Sequence, residues 1–149
     1  MKIKKILWLL ILFVIILVAA NFLFSQKEET EFANIYLGSK IIKAEVVKTP
    51  KEMAIGLSKY DDLPENQGML FLFPVKMKPN FWMKDMKFAI DIIWLDDNKI
   101  IDLTANLLPP VEGNLPTYQP KEPINKVLEL KAGFIEKNNL KIGDEVIIK

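Results

Sequence analysis

Hydrophobic residues are continuous near the N-terminus, whereas further along the chain they alternate with polar residues. Residues 6–24 are apolar except for Asn21, and three lysines within residues 2–5 precede them. Nineteen helical residues, at about 1.5 Å each, cover roughly 28 Å, which is close to the thickness of the hydrocarbon core of a bilayer. Lysines on the N-terminal side hold that end of a helix in the cytoplasm. The pattern therefore predicts a signal anchor in residues 1–24, with one transmembrane helix that places the rest of the chain outside the cytoplasm.

A cleaved signal peptide is the alternative interpretation of the same segment. Residues 2–5 would be its charged region and Val18–Ala20 its small-residue cleavage site, and the mature protein would be secreted. The apolar core of a signal peptide is usually about 7–15 residues long, but here the apolar run continues to Phe24. The uncleaved anchor is therefore favoured. It implies a single-pass protein of the cell membrane, with its N-terminus in the cytoplasm and its C-terminal domain extracytoplasmic.

The rest of the chain is expected to form a polar tether and one domain. Residues 25–31, SQKEETE, are the short tether, and residues 32–149 form the extracytoplasmic β-domain. Its predicted fold class is all-β, a small barrel or sandwich of about eight short strands with two short helices. The first two strands form a hairpin through the turn residues Gly38 and Ser39. The predicted strands are Phe32–Leu37, Lys40–Val47, Met69–Phe73, Phe81–Met83, Ile90–Leu95, Lys99–Ala105, Val127–Leu130 and Glu145–Ile148.

A capping box predicts the first of the two short helices. Pro50 and Glu52 follow Thr49, so the Thr49 side chain can accept a hydrogen bond from a helix amide while Glu52 reaches back to the Thr49 amide. Gly56 is expected to help end this helix. The second helix is predicted at Ala132–Asn138. The first helix is expected to reach the core through Met53, Ile55 and Leu57.

The composition excludes several classes of chemistry. The chain has no histidine and no cysteine, which rules out disulfides, thiol nucleophiles, zinc–thiolate sites and histidine-based triads. It also has no arginine, so its 20 basic residues are all lysines. Three lysines lie before residue 6 and all 19 acidic residues lie after residue 24, which leaves 17 lysines against 19 acids and a net charge of −2 beyond the anchor. Nucleic-acid binding needs a basic face and is therefore not expected.

Two segments of the sequence carry a resemblance to a known family. Residues 49–57 read TPKEMAIGL, and residues 68–96 read GMLFLFPVKMKPNFWMKDMKFAIDIIWLD. They resemble the uncharacterised prokaryotic family named domain of unknown function 192, whose pattern combines T-P-x-E-x-x-x-G-L, G-M-L-F-x-F, F-W-M-K and an Asp followed by an apolar pair. The resemblance runs from about Ile42 to the C-terminus. The family has no established activity, so the resemblance implies a fold rather than a reaction.

The sequence departs from the family pattern at several positions. Asp85-Met86 stands where the family usually has Asn-Thr, and Ala89 stands where proline is common. Many members carry two cysteines at the positions that correspond to Val111 and Leu115. The resemblance therefore implies no cysteine-linked role for this chain, and the Asp85 change weakens the expectation of a polar pocket shared with the family.

Phe81 to Lys84 could line a binding pocket. In a strand, Phe81 and Met83 face one side while Trp82 and Lys84 face the other. The Trp82 ring and the Lys84 ammonium group would then form a pocket that grips an anion. The alternative is a core strand whose terminal lysine reaches water along its aliphatic stem.

Asp91 is the second candidate because it interrupts an apolar strand. A buried carboxylate must be paired or hydrogen-bonded, and Lys84 is the nearest cation if residues 81–84 lie beside residues 90–95. We therefore predict a partly buried Lys84–Asp91 pair beside Trp82. Asp91 would be either a pocket carboxylate with a shifted pKa or a structural group, in an ion pair or as a cap on neighbouring amides.

Residues 108–123 contain five of the nine prolines and are predicted to be a long irregular surface loop. Tyr118 and Glu129 are further candidates for the rim of a pocket beneath this loop. No metal site is predicted, because the spacing matches no calcium-binding loop and Asp-Asp-Asn is ordinary turn chemistry. The acidic residues nearest to such a pattern are Asp96, Asp97 and Asp102.

The favoured function is that of a membrane-anchored binding module for a small ligand or an envelope component, without a catalytic role. One alternative is a hydrolase that uses Asp91 with Lys84. Another is a structural module that docks on a second membrane protein through the proline-rich loop. The expected partners are the membrane, through residues 6–24, and a small ligand or envelope protein. No cofactor is expected.

Overall fold

The computed structural model describes residues 2–24, 30–111 and 114–149. Its first element is helix α1, Lys2–Phe24, whose apolar side chains at residues 6–18 are exposed. Where side chains are described, no helix is both long enough and apolar enough to cross a membrane, so the predicted transmembrane span is not supported. Most of the predicted tether, residues 25–29, lies outside the described residues.

The domain is a curled half-barrel of β-strands with short helices. Its main sheet has seven strands in the order β6-β5-β8-β3-β2-β1-β9, and β4 and β7 form a separate two-stranded ribbon. All neighbours in the main sheet are antiparallel except β2 and β3, which are parallel. The elements are β1 (Phe32–Leu37), β2 (Lys40–Val47), α2 (Pro50–Ile55), a 3₁₀ helix (Gly56–Lys59), β3 (Gln67–Met77), β4 (Phe81–Trp82), β5 (Ile90–Asp96), β6 (Lys99–Leu107), β7 (Thr117–Tyr118), β8 (Ile124–Lys131), α3 (Phe134–Lys137) and β9 (Val146–Ile148).

The two outer strands of the sheet approach each other at one end. A bridge joins Lys99 to Glu145, and the Ile100 amide donates to the Asp144 carbonyl over 2.9 Å. These bonds connect the start of β6 to the segment that leads into β9, so the sheet curls instead of staying flat. The all-β prediction is confirmed in part: the domain is mostly β, and its seven-stranded sheet is a curled half-barrel with short helices.

The central strands are buried on both faces because their side chains alternate between two cores. The first core lies within the curl of the sheet and includes Ile93 and Leu128. The second core lies on the opposite face and includes Phe71, Trp94 and Val127. Residues of α2, β4 and β7 cover this second core. The candidate site is built on it.

Helix α2 confirms the capping box that the sequence predicted. The Glu52 amide donates to Thr49 Oγ1 over 3.3 Å, and the Thr49 amide donates to a Glu52 carboxylate oxygen over 2.8 Å. Gly56 ends the helix with φ +52°, a conformation that favours glycine. Leu57 is buried and Met53 is half-buried, as expected, but Ile55 is 44% exposed and its predicted core contact is wrong.

Two predicted connections differ in the structure. Strand β3 continues through Pro74 to Met77, with an irregular register after Leu72, which suits a residue that cannot donate a ladder hydrogen bond. The proline-rich loop contains β7, which pairs with β4. Residues 112–113 of this predicted loop lie outside the described residues.

Candidate functional site

A pocket of about 240 Å³ opens on the second core, and we refer to it as the Glu129 pocket. Residues 53–57, which follow the capping box and run from α2 into the 3₁₀ helix, line part of the pocket. Strand β3 contributes Phe71 and Phe73, and β8 contributes Glu129. The remaining lining residues come from β4 and its flanks and are Asn80, Phe81, Trp82, Lys84 and Met86.

Glu129 lies in the middle of the main sheet. Its cross-strand neighbours are Met69 on β3 and Ile92 on β5, and only 5% of the residue is exposed. Burial alone raises the pKa of the Glu129 carboxyl from 4.5 to about 8, because no charge or hydrogen-bond donor among the described residues offsets the lost hydration. The carboxyl group is therefore mostly protonated at neutral pH. The pocket has an uncharged acid at its base.

Strand β4 forms the wall of the pocket nearest to solvent. Phe81 is half-buried and packs edge-on against Phe71, with ring centroids 4.9 Å apart, while Met83 is fully buried. On the other face, Trp82 is 50% exposed, and the Lys84 ammonium nitrogen lies 5.9 Å from the centroid of the Trp82 ring. Exposure alternates along residues 81–84 as predicted, but β4 ends at Trp82 and Lys84 lies in the turn that follows. Phe81 lines the pocket together with Trp82 and Lys84.

The proline-rich segment holds β4 in place. Tyr118 on β7 pairs with Phe81 on β4, and it packs against the second core without lining the pocket. Further along this segment, Lys121 donates two hydrogen bonds to the buried Asp102 of β6. One comes from the Lys121 amide over 3.1 Å and the other from its ammonium group over 3.2 Å. Asp102 thus anchors the segment that carries β7. In the described part of the chain, no group of three or more acidic residues is arranged to hold a metal ion.

The predicted Lys84–Asp91 pair is wrong. Asp91 is fully buried, and its two oxygens accept hydrogen bonds from the Asn106 and Ile135 amides, each over 2.8 Å. It therefore ties the end of β6 to the start of α3, which is the amide-cap alternative. The pair fails because β4 joins β7, whereas β5 lies between β6 and β8.

Glu45 is a buried acid that was not predicted from the sequence. It shows how donors on neighbouring side chains satisfy a buried carboxylate. Its carboxylate accepts from the Lys59 ammonium group over 2.6 Å and from the Tyr60 hydroxyl over 2.5 Å. Burial raises the pKa of Tyr60 to about 12, and the hydrogen bond to Glu45 adds to the effect. The sequence signal was available, because Glu45 lies between apolar residues of β2.

The apolar walls of the pocket were also missed. Phe71 and Phe73 belong to a strand whose pattern indicates only core packing, whereas Met53 comes from α2 and Met86 from the connection between β4 and β5. Glu129 was predicted only as a rim residue. An acid inside the apolar run VLEL was the same signal that drew attention to Asp91.

The fold and the pocket define a small half-barrel β-domain with an apolar cavity and a buried acid at its base. The family model described as "Uncharacterized ACR", the domain of unknown function 192, matches residues 33–148. The chain belongs to this family, as the sequence motifs implied. No functionally curated protein matches the chain.

Two solved structures share the fold. One is a protein of Sinorhizobium meliloti 1021 described as a proposed transcription regulator; it aligns with a TM-score of 0.71 at 24% identity, over 80% of this chain and 94% of the other. The second is a protein of unknown function from Novosphingobium aromaticivorans DSM 12444, with a TM-score of 0.71 at 24% identity, over 83% of this chain and 88% of the other. At this identity the likeness shows the fold alone.

Proposed function

We propose that the domain binds a small organic molecule in the Glu129 pocket. The observation that carries this proposal is the contrast among the buried acids of the described chain, which are Glu45, Asp91, Asp102 and Glu129. The first three accept hydrogen bonds from lysine, tyrosine or backbone donors. Among the described residues Glu129 has no such partner, and it lines a cavity. A buried acid without a partner costs stability, and a ligand that enters the cavity can supply the missing contact because Glu129 lines it.

Binding fits the pocket better than catalysis. General acid–base hydrolysis of the glycosidase type uses two carboxyl groups on either side of the bond, but Glu129 is the only acidic side chain among the described residues that line the pocket. The alternative hydrolase, based on Asp91 and Lys84, lacks its geometry because both Asp91 oxygens already accept backbone amides. A single acid among apolar walls is typical of a ligand site.

The cellular location is a second part of the proposal. We infer that α1 associates with a membrane and that the β-domain is extracytoplasmic. In support, residues 6–18 of α1 expose apolar side chains on all sides, directly after the N-terminal lysines. Fractionation of cells should recover the chain in the membrane pellet at its full intact mass. A soluble product that begins at Asn21 would instead indicate cleavage and secretion.

Native mass spectrometry of the purified full chain in a non-ionic detergent tests the binding function. The wild-type protein should carry a small organic molecule that Glu129→Leu loses. Glu45→Leu is the matched control, because it removes another buried glutamate outside the pocket and should keep the molecule while losing stability. Equal retention by both variants, or equal loss, would contradict the proposal.

A further inference from the structure

We propose that the ligand of the Glu129 pocket is an organic ammonium ion, whose cationic head contacts Glu129 while its apolar substituents contact the aromatic walls. This inference rests on the proposed function and specifies the chemistry of the same site.

The balance of charge in the pocket favours a cation. Glu129 has no cation beside it, and the one other charged side chain that lines the pocket in the described residues is Lys84. Lys84 is exposed and lies over the Trp82 ring, so water and salt screen its charge. A cation that entered the pocket would supply the counter-charge that the buried carboxylate lacks. An anion would gain no counter-charge from Glu129, because it would keep the carboxyl group protonated.

The walls of the pocket are rich in aromatic rings. Phe71, Phe73, Phe81 and Trp82 bring four aromatic rings to one small cavity. The faces of aromatic rings attract ammonium ions through their quadrupole. Phe81 is fixed by edge-to-face contacts with Phe71 at 4.9 Å and with Trp94 at 5.4 Å, so its orientation is set before a ligand arrives.

The described lining of the pocket has few hydrogen-bonding side chains. Besides Glu129, the pocket offers the polar side chains of Asn80, Lys84 and Trp82, and all three are exposed. A sugar or another polyol would lose hydration from many hydroxyl groups that find no partner inside. An ammonium ion with alkyl substituents needs only one charged contact. The cavity of about 240 Å³ is also smaller than the roughly 300–1,000 Å³ of sites for drug-sized ligands.

Binding of such a cation should be linked to release of one proton from Glu129. Its cross-strand neighbours, Met69 and Ile92, are apolar. Among the described residues that line the pocket, the one other charged group is Lys84, two residues after β4. Along β8, Lys131 is held by Asp62 at 2.9 Å. Because the ionised carboxylate is the competent form, the apparent affinity should follow the ionised fraction. That fraction rises about a hundredfold from pH 6 to pH 9 for a pKa of about 8.

Isothermal titration calorimetry on the full chain in a non-ionic detergent tests the inference. The probes are three quaternary ammonium ions of increasing size, namely tetramethylammonium, choline and benzyltrimethylammonium, whose charge does not change with pH. The uncharged control is 3,3-dimethylbutan-1-ol, which has the shape of choline. At least one cation should bind, choline should bind at least tenfold more tightly than its uncharged counterpart, and the affinity for cations should rise with pH.

Two variants assign the effect to the pocket. Glu129→Gln should lose both the binding of cations and its dependence on pH, while Glu45→Gln should retain both. Thermal unfolding of each variant establishes that it is folded. The inference is overturned if no cation binds, if the alcohol binds as tightly as choline, or if Glu129→Gln binds like the wild type. None of these outcomes decides the proposed function. That proposal is tested separately, by whether Glu129→Leu loses the co-purified molecule.

Discussion

Raising the pH from 5 to 9 should destabilise the ligand-free protein through Glu129, and Glu129→Gln should abolish this effect. The chain has no histidine and no cysteine, so among ordinary groups only the terminal amine titrates in this range. The folded state raises the pKa of Glu129 to about 8 from 4.5. The folded protein therefore keeps a proton that the unfolded chain has already lost. The contribution of Glu129 to the free energy of unfolding is therefore fully present below about pH 4.5, and it is lost as the pH rises towards 8.

The size of the loss follows from the separation of the two pKa values. Each pH unit between 4.5 and about 8 removes about 1.4 kcal/mol from the free energy of unfolding, which gives a total of about 4–5 kcal/mol. This is a large share of the roughly 5–15 kcal/mol that stabilises a typical domain. Gln has nearly the same size as Glu and does not titrate, so the variant should lack the decline.

Equilibrium unfolding in urea measures the effect, with the fluorescence of the fully buried Trp94 as the signal. The free energies of the wild type and Glu129→Gln should diverge by about 4 kcal/mol between pH 5 and pH 9, with the variant the more stable at pH 9. Other groups contribute equally to both proteins and cancel in the difference. Parallel curves for the two proteins would refute the argument and mean that Glu129 is hydrated or paired.

Three further predictions concern residues outside the pocket. Asp91→Ala should cost about 2–4 kcal/mol in thermal or urea unfolding, because it leaves the Asn106 and Ile135 amides without an acceptor; a loss below 1 kcal/mol would contradict this. Gly68→Ala should cost about 1–3 kcal/mol, because a Cβ atom at this position would lie 2.7 Å from the Glu129 carbonyl oxygen; an unchanged melting temperature would count against it. Asp102→Ala should speed amide exchange in β7, since it releases Lys121; unchanged exchange there would show that β4 alone holds the segment.

Local signals in the sequence predicted much of the domain. The β1–β2 hairpin has the predicted strands, because Gly38 adopts a positive φ of 57° at the turn and the flanking residues alternate. The capping box at Thr49 and the helix end at Gly56 also depend only on neighbouring residues. The family motif TPKEMAIGL is therefore explained by helix capping, a glycine-dependent turn and the buried Leu57.

The order of the strands could not be predicted in the same way. Strand β8 lies between β3 and β5, and β4 pairs with β7 from the distant proline-rich segment. Pairing between distant strands depends on how the whole chain packs, and alternation of side chains carries no information about it. The predicted Lys84–Asp91 contact assumed that neighbours in sequence are neighbours in the sheet.

Only some of the candidate site residues lie in one pocket, again because the strand order could not be predicted. Trp82, Lys84 and Glu129 do share one pocket, whereas Asp91 and Tyr118 have structural contacts elsewhere. Asp91 and Glu129 look alike in sequence, since each is an acid in an apolar strand. Within the described part of the chain, the fold brings amide donors to Asp91 but none to Glu129.

The most direct test of the account is the titration of the Glu129 carboxyl carbon by carbon-13 nuclear magnetic resonance, in the ligand-free protein. The account predicts a midpoint near pH 8, since burial without a partner raises the pKa to about that value. Adding a bound ammonium ion should move the midpoint downwards. A midpoint near 4.5 in the ligand-free protein would contradict the account, because the acid would then have found water or a partner that leaves no role for a ligand.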